Sequence, residues 1–214
     1  MSGGAYEEPR FPRFARLWPR VARRLDRDPA TRRIRAELAA EAHGAVVEIG
    51  CGVGSMFRFY PADADVTAVE PEPGLRAAAR AAAAAATAAT PRLRIRVEPG
   101  VAEHLPVADD AADVVLASLV LCSVPDQAAA LAEIRRVLRP EGALLAYEHV
   151  RSSRRWAAAL QRGVTPLWSL GAGGCRLDRD TEAAITAAGF EIVGRRPTGS
   201  EHAALTPHLS VTAR

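Results

Sequence analysis

Three glycines at alternate positions, Gly50, Gly52 and Gly54, follow the apolar run that opens the stretch VVEIGCGVGS (Val46–Ser55). An acid, Glu48, stands two residues ahead of the first of them. Glycines so placed let the chain turn sharply and approach a ligand with no Cβ in the way. A strand that runs through such a turn into a helix is the setting of a nucleotide site. The dinucleotide fingerprint G-x-G-x-x-G is not met, since Ser55 or Phe57 falls where its third glycine belongs. The pattern is E-x-G-x-G-x-G. A carboxylate beside a pyrophosphate repels it, whereas a cationic ligand welcomes one. S-adenosylmethionine has a sulfonium, an ammonium group and no phosphate, so Glu48 suits its amino-acid end, directly or through water. Glu70 ends a second strand candidate, VTAVE, 20 residues after Gly50. An acid there accepts hydrogen bonds from ribose hydroxyls.

The elements needed to carry these residues are legible as alternating strand and helix. Strands are expected at Ala45–Ile49, Val66–Glu70, Arg92–Glu98, Asp113–Leu121, Ala143–Val150, FEIVGRR and HLSVTAR. Between them, a short helix is expected at Ser55–Tyr60 and longer ones at Pro73–Ala89, Asp126–Leu138 (stopped by Pro140 and Gly142) and Arg154–Gly163. A last helix is capped by Asp178 or Asp180 and stopped by Gly189. The fold class is α/β: a Rossmann-like, seven-stranded, mostly parallel sheet with one antiparallel edge strand and helices on both faces. The antiparallel pairing follows because no helix separates the last two strands. One domain is expected over 1–214, with 1–44 a helical extension, 45–150 the cofactor-binding core and 151–214 the substrate side. Within the extension, Phe14, Leu17, Trp18, Val21 and Leu25 recur at helical spacing among arginines, interrupted by Pro19. A second helical pattern starts near Pro29 and stops at Gly44. The basic amphipathic stretch suits peripheral contact with an anionic membrane surface, or it covers the cofactor cleft. Pro19 breaks the continuous face that a membrane helix would use, which favours the cover.

Composition narrows the classes. A chain of 214 residues can bury a sizeable core. The net charge is +3, every basic residue is Arg, and aromatics are 5%. Basic residues clustered with stacking aromatics are lacking, so no nucleic-acid partner is expected. No apolar run is long enough to span a bilayer, and the N-terminus lacks a signal peptide's apolar centre. A cytoplasmic protein with no integral membrane segment is expected, and its oligomeric state is left open. Cys51, Cys122 and Cys175 form no C-x-x-C pair, so reduced thiols and no metal site are expected.

VVEIGCGVGS, VTAVEPEP, GVAEHLPVADDAADVVLAS and IRRVLRPEGALLAYEHV together resemble the successive motifs of class I S-adenosylmethionine-dependent methyltransferases. The resemblance implies S-adenosylmethionine as cofactor. It implies that Gly50, Gly52 and Gly54 contact it, that Glu70 with Pro71 holds the ribose, that Ala102 and Glu103 lie by the adenine, and that Ser118 and Leu119 lie under the methionine part. The adenine-binding Asp of many members is Val101 here. FRFYP, SLVLCSVPD, EHVRS, PLW, GCRLDRDT and PHL are further similar to the alkyl thiol methyltransferases and their bacterial relatives. That similarity implies a small-molecule thiol acceptor and is the sole ground for attention to Cys175 and His208. The animal members carry an N-terminal hydrophobic anchor, in place of which this chain has the arginine-rich stretch.

Methyl transfer is an in-line displacement on an already activated carbon, so proximity and orientation supply most of the catalysis. A thiol is partly ionised near neutrality and needs only a weak base. Glu148 and His149 end the fifth strand, and one of them can face the site, His149 as base; the plainer reading makes them structural partners of neighbouring groups. Tyr60 either lines the pocket or is a packed aromatic. Cys122 reads as a small buried hydrophobe near the fourth strand's end. The alternatives are N-, O- or C-methylation of a lipid, quinone or natural-product intermediate, or a non-catalytic cofactor-binding partner module.

Overall fold

The computed structural model describes residues 12–198 and 208–214. Arg10 and Phe11, at the head of the basic stretch, and Pro207 of the PHL motif lie outside them. Two helices come first, α1 (Pro12–Leu25) and α2 (Pro29–Ala40). The Asp28 side chain accepts from the Thr31 N–H at 2.7 Å, and Pro29 opens the first turn, so α2 starts where capping chemistry puts it. Pro19 does not end α1, which runs through it. Ala22 is buried, and Phe14 and Trp18 pack on the glycine turns at Gly173 and Gly52, while Leu17 and Val21 stay exposed.

Then come β1 (Ala45–Ile49), β2 (Asp65–Val69), α3 (Pro73–Ala89), β3 (Arg94–Glu98), β4 (Ala112–Ser118), α4 (Gln127–Val137) and β5 (Leu138–His149). The chain ends with α5 (Arg155–Gly171), α6 (Thr181–Ala187), β6 (Ile192–Thr198) and β7 (His208–Ala213). Phe57–Phe59 is a single 3-10 turn where a short helix is expected. The seven strands order as β3-β2-β1-β4-β5-β7-β6. β7 alone runs against its neighbours, pairing antiparallel with both β5 and β6. The antiparallel pairing is at one edge, as the sequence implies, with β7 one place in from the rim and β6 outside it. Strand order reverses between β1 and β4, which makes the crevice at their carboxyl ends the natural ligand site of such a sheet.

Period-two alternation fills both faces. Val46 of β1 with Val114 and Leu116 of β4 join the core under α2 and α3. Val47 and Ile49 with Val115 and Ala117 join the core under α4 and α6. Most boundaries shift by one or two residues, and three differ by more. β4 stops at Ser118, because Leu119 turns to φ 62° and the following N–H groups leave the ladder. β5 begins at Leu138, directly after α4, and the register with β4 jumps from Ala112↔Leu138 to Val114↔Ala143. Pro140 and Gly142, read as helix stops, therefore sit in a strand irregularity where no ladder donor is needed. α5 runs eight residues past Gly163, through Pro166, to Gly171.

Candidate active site

The carboxyl ends of β1, β2, β4 and β5 open into one cavity of about 880 Å³, and α1 and α5 form its outer wall. Gly50 and Gly52 both adopt φ 58°, the left-handed conformation that glycine takes without strain. A Cβ on Gly50 would meet Val120 at 2.6 Å, and one on Gly52 would stand 3.0 Å from the indole nitrogen of Trp18 on α1. Gly50, Gly52, Glu70, Pro71, Ala102 and Glu103 line the cavity, as do Ser118 and Leu119. Gly54 does not. Its φ of 78° lets the chain pass where a Cβ would strike Phe57 at 2.6 Å and Ala82 at 3.0 Å, so its place is in packing against α3.

Each Glu70 carboxylate oxygen takes one backbone N–H, from Gly52 at 2.8 Å and Glu72 at 2.9 Å. One acceptor direction on each oxygen is left for a ligand. Burial pushes this carboxyl up to about 7, against those two N–H bonds, which lower it. Ser118 Oγ is buried and has no hydrogen-bond partner among the described residues. A glycine cradle, a carboxylate with spare acceptor capacity and an orphaned hydroxyl on one cavity wall fit a nucleoside with a polar, cationic tail.

The structure separates Glu48 and Tyr60 from that wall. Glu48 shares the sheet face of Val46, so its side chain points beneath the glycine turn, away from the cavity, where the Tyr60 hydroxyl donates to it at 2.8 Å. Burial pushes Glu48 up to about 8, so it is mostly protonated at neutral pH, and a neutral acid does not draw a cation. Burial likewise pushes the Tyr60 phenol well up. Neither side chain lines the cavity: Tyr60 is the packed aromatic of the two alternatives, and Glu48 has no direct contact with the space for a ligand's amino-acid end. Glu148 is also turned inward. It accepts the N–H groups of Val120 and Leu121 at 2.9 Å and of Cys122 at 3.1 Å, which holds the loop after β4 in place. It stays off the cavity and touches no acceptor position.

His149, one residue on and on the opposite face, does line the cavity. Its Nδ1 lies 3.5 Å from Cys175 Sγ and 3.9 Å from Cys122 Sγ, and both sulfurs face the same space. The Cys122 thiol shares its proton with Cys175: that contact, with His149 beside it, holds Cys175 low, while the same contact and burial hold Cys122 high. The His208 ring packs on His149 at 4.1 Å between centroids and on Tyr147 at 5.2 Å. Sequence reasoning missed this convergence and the part of the wall formed by Leu167 and Trp168, whereas Phe14 and Trp18 belong to the stretch it preferred as a cover. The available signal was GAGG ahead of Cys175. Gly173 and Gly174 are at φ 61° and 86°, and a Cβ on either would meet Phe14 at 2.8 Å or the Ser123 carbonyl oxygen at 2.9 Å.

A family model described as a methyltransferase domain matches residues 47–146. The chain is 34% identical over 168 residues to human thiol S-methyltransferase TMT1B, covering 77% of this chain and 68% of that protein. This chain belongs to the methyltransferase family. Human thiol S-methyltransferase TMT1A is 37% identical over 147 residues, 68% of this chain and 59% of that protein. The chain thus spans about three fifths of that relative. Among solved structures, an S-adenosylmethionine-dependent methyltransferase from Thermotoga maritima superposes with a TM-score of 0.67 at 20% identity, over 94% of this chain and 97% of that one. The [4+2]-cyclase SpnF superposes at 0.63 and 21% identity, over 90% and 80%. These show the methyltransferase fold, and the cyclase shows that the fold alone does not fix the reaction.

Proposed function

We propose that this chain binds S-adenosylmethionine and catalyses methyl transfer from it to a small thiol carrying an apolar chain. The observation that carries this reading is a single cavity joining the Gly52–Glu70–Ser118 wall to the Cys122–His149–Cys175 cluster. When bound, the cofactor supplies an electrophilic methyl on sulfur. Glu70 accepts the ribose hydroxyls, Gly50 and Gly52 admit the backbone-close part, and Ser118 Oγ takes a polar group of the methionine end. Ala102 and Glu103 flank the adenine, with Glu103 already fixed by the Asp126 N–H at 3.1 Å. His149 stands at the acceptor end and holds the acceptor sulfur or takes its proton. α1 covers the cavity and excludes water, the role preferred for the arginine-rich extension. Leu17, Val164 and Leu167, partly exposed at the outer wall, offer an apolar path for an alkyl chain and a point for peripheral membrane contact. Among the described residues no helix is long and apolar enough to cross a membrane. Three unpaired cysteines suit a reducing compartment such as the cytoplasm. The similarity to thiol S-methyltransferases favours sulfur over nitrogen, oxygen or carbon as the accepting atom.

The test is calorimetric titration with S-adenosylmethionine, followed by assay of the same sample against alkyl thiols, amines and phenols. Micromolar binding with turnover of thiols alone is expected. Turnover confined to amines or phenols would replace the acceptor, and binding without any turnover would favour a non-catalytic module.

A further inference from the structure

Cys122, His149 and Cys175 come from three separate elements: the loop after β4, the end of β5 and the turn after α5. All ligand atoms of the three lie within 4.8 Å of one another. The arrangement is firmly held. Glu148 gathers the Cys122 loop by three N–H bonds, and the Arg176 N–H donates to the Cys122 carbonyl at 2.8 Å. The Arg179 guanidinium ties down the carbonyls of Leu121 at 2.7 Å and Val124 at 2.6 Å. Gly174 is in contact with Ser123, an approach a side chain would block.

Two sulfurs and an imidazole nitrogen are soft and borderline donors, with no carboxylate among them, a set that suits zinc over magnesium or calcium. Zinc bonds of about 2.3 Å to sulfur and about 2.0 Å to nitrogen place tetrahedral ligands about 3.5–3.8 Å apart. The two nitrogen–sulfur separations here are 3.5 and 3.9 Å. Structural zinc sites are closed by a fourth protein ligand, whereas a catalytic site keeps one position open. Here, among the described residues, three ligand groups come together, and all three face the cavity.

We propose that Cys122, His149 and Cys175 bind one zinc ion whose fourth position opens into the cavity and takes a thiolate sulfur. Binding the metal displaces the protons of both cysteine thiols to solvent. An acceptor thiol entering the fourth position gives up its proton to solvent in the same way. Its sulfur lone pair then forms the new S–C bond as the bond from the methyl to the cofactor's sulfonium breaks, that electron pair remaining on the cofactor sulfur. A thioether and S-adenosylhomocysteine leave, and the zinc is unchanged. In this form His149 is a ligand, and the metal takes over the proton-displacing role. The acceptor step rests on the thiol-methyltransferase reading above; the metal site does not.

The test reads the metal directly. The full chain, expressed with zinc supplied and gel-filtered, is analysed for metal by mass spectrometry, and then stripped with a chelator and titrated with Co²⁺. One zinc per chain is expected, together with a thiolate-to-cobalt charge-transfer band and intense tetrahedral d–d bands. Cys122→Ser and Cys175→Ser should each weaken both signals, with S-adenosylmethionine titration confirming that each variant is folded. A misfolded variant is replaced by Cys175→Ala. Wild type that is isolated without zinc and gives no charge-transfer band when titrated with Co²⁺, or a disulfide between Cys122 and Cys175 in non-reduced protein, overturns the site. Propanethiol added to the cobalt protein without cofactor should strengthen the charge-transfer band. An unchanged spectrum overturns the open position, and it does so without reference to turnover.

Discussion

Glu70 shows how one residue can be placed from sequence while its behaviour cannot. Its offset from the glycines puts it at the β2 end, but the two N–H groups it accepts and the burial that lifts it to about 7 belong to the folded site. Ribose hydroxyls are held by the ionised form, so cofactor binding should release a proton near neutrality. Affinity should rise with pH up to about 7 and then level. Calorimetry in buffers of different ionisation enthalpy checks the release. Glu70→Gln should weaken binding about tenfold or more through lost charge-assisted hydrogen bonds and abolish the pH step. Glu48 carries the opposite lesson. Its folded value of about 8 stands above about 4.5 for an ordinary glutamate, so the folded state holds the proton more tightly. Its contribution to stability is full below about 4.5, falls as pH rises, and is gone past about 8. Melting temperature against pH should therefore flatten over that window in Glu48→Gln. Tyr60→Phe should leave turnover intact. The choice between Glu148 and His149 was unreadable from sequence, because a period-two pattern says that the pair faces opposite ways without saying which face is solvent. The three cysteine and histidine ligands were unreadable for a different reason: 27 and 26 positions separate them, and only tertiary contacts join them.

At the scale of elements, sequence signals were sound wherever a local cap or period decided the matter. Asp28, Asp126 and Asp180 accept the N–H groups of their own first turns. Those signals failed where the chain ran through a local breaker, as at Pro19 in α1, Pro166 in α5 and the α4–β5 junction. The loop after β4 is the sharpest case. The strand reads on to Leu121, yet the N–H groups of Val120 and Leu121, with that of Cys122, have left the ladder for one buried carboxylate. Glu148→Ala strands these donors at about 1–3 kcal/mol each, so stability should fall by about 3 kcal/mol or more. A urea midpoint equal to wild type would show that the loop does not depend on Glu148.

At the scale of the molecule, the mostly parallel sheet with its antiparallel edge and helices on both faces was implied by strand–helix alternation, the strand order came only with the fold, and the roof was an inference from one amphipathic stretch. Trp18 above Gly52 and Phe14 against Gly173 are what make α1 a roof. The buried part of the Trp18 indole contributes about 1.5–3 kcal/mol, so Trp18→Ala should speed cofactor release about tenfold or more. Stopped-flow displacement checks this, and an unchanged rate would mean that α1 is not in the exit path.

Gly173 receives the Phe14 ring, and two residues later the same turn delivers Cys175. Roof and reactive end thus share one hinge pin. A substitution that empties the Phe14 seat is therefore expected to be felt at Cys175 as well as at the cavity's cover.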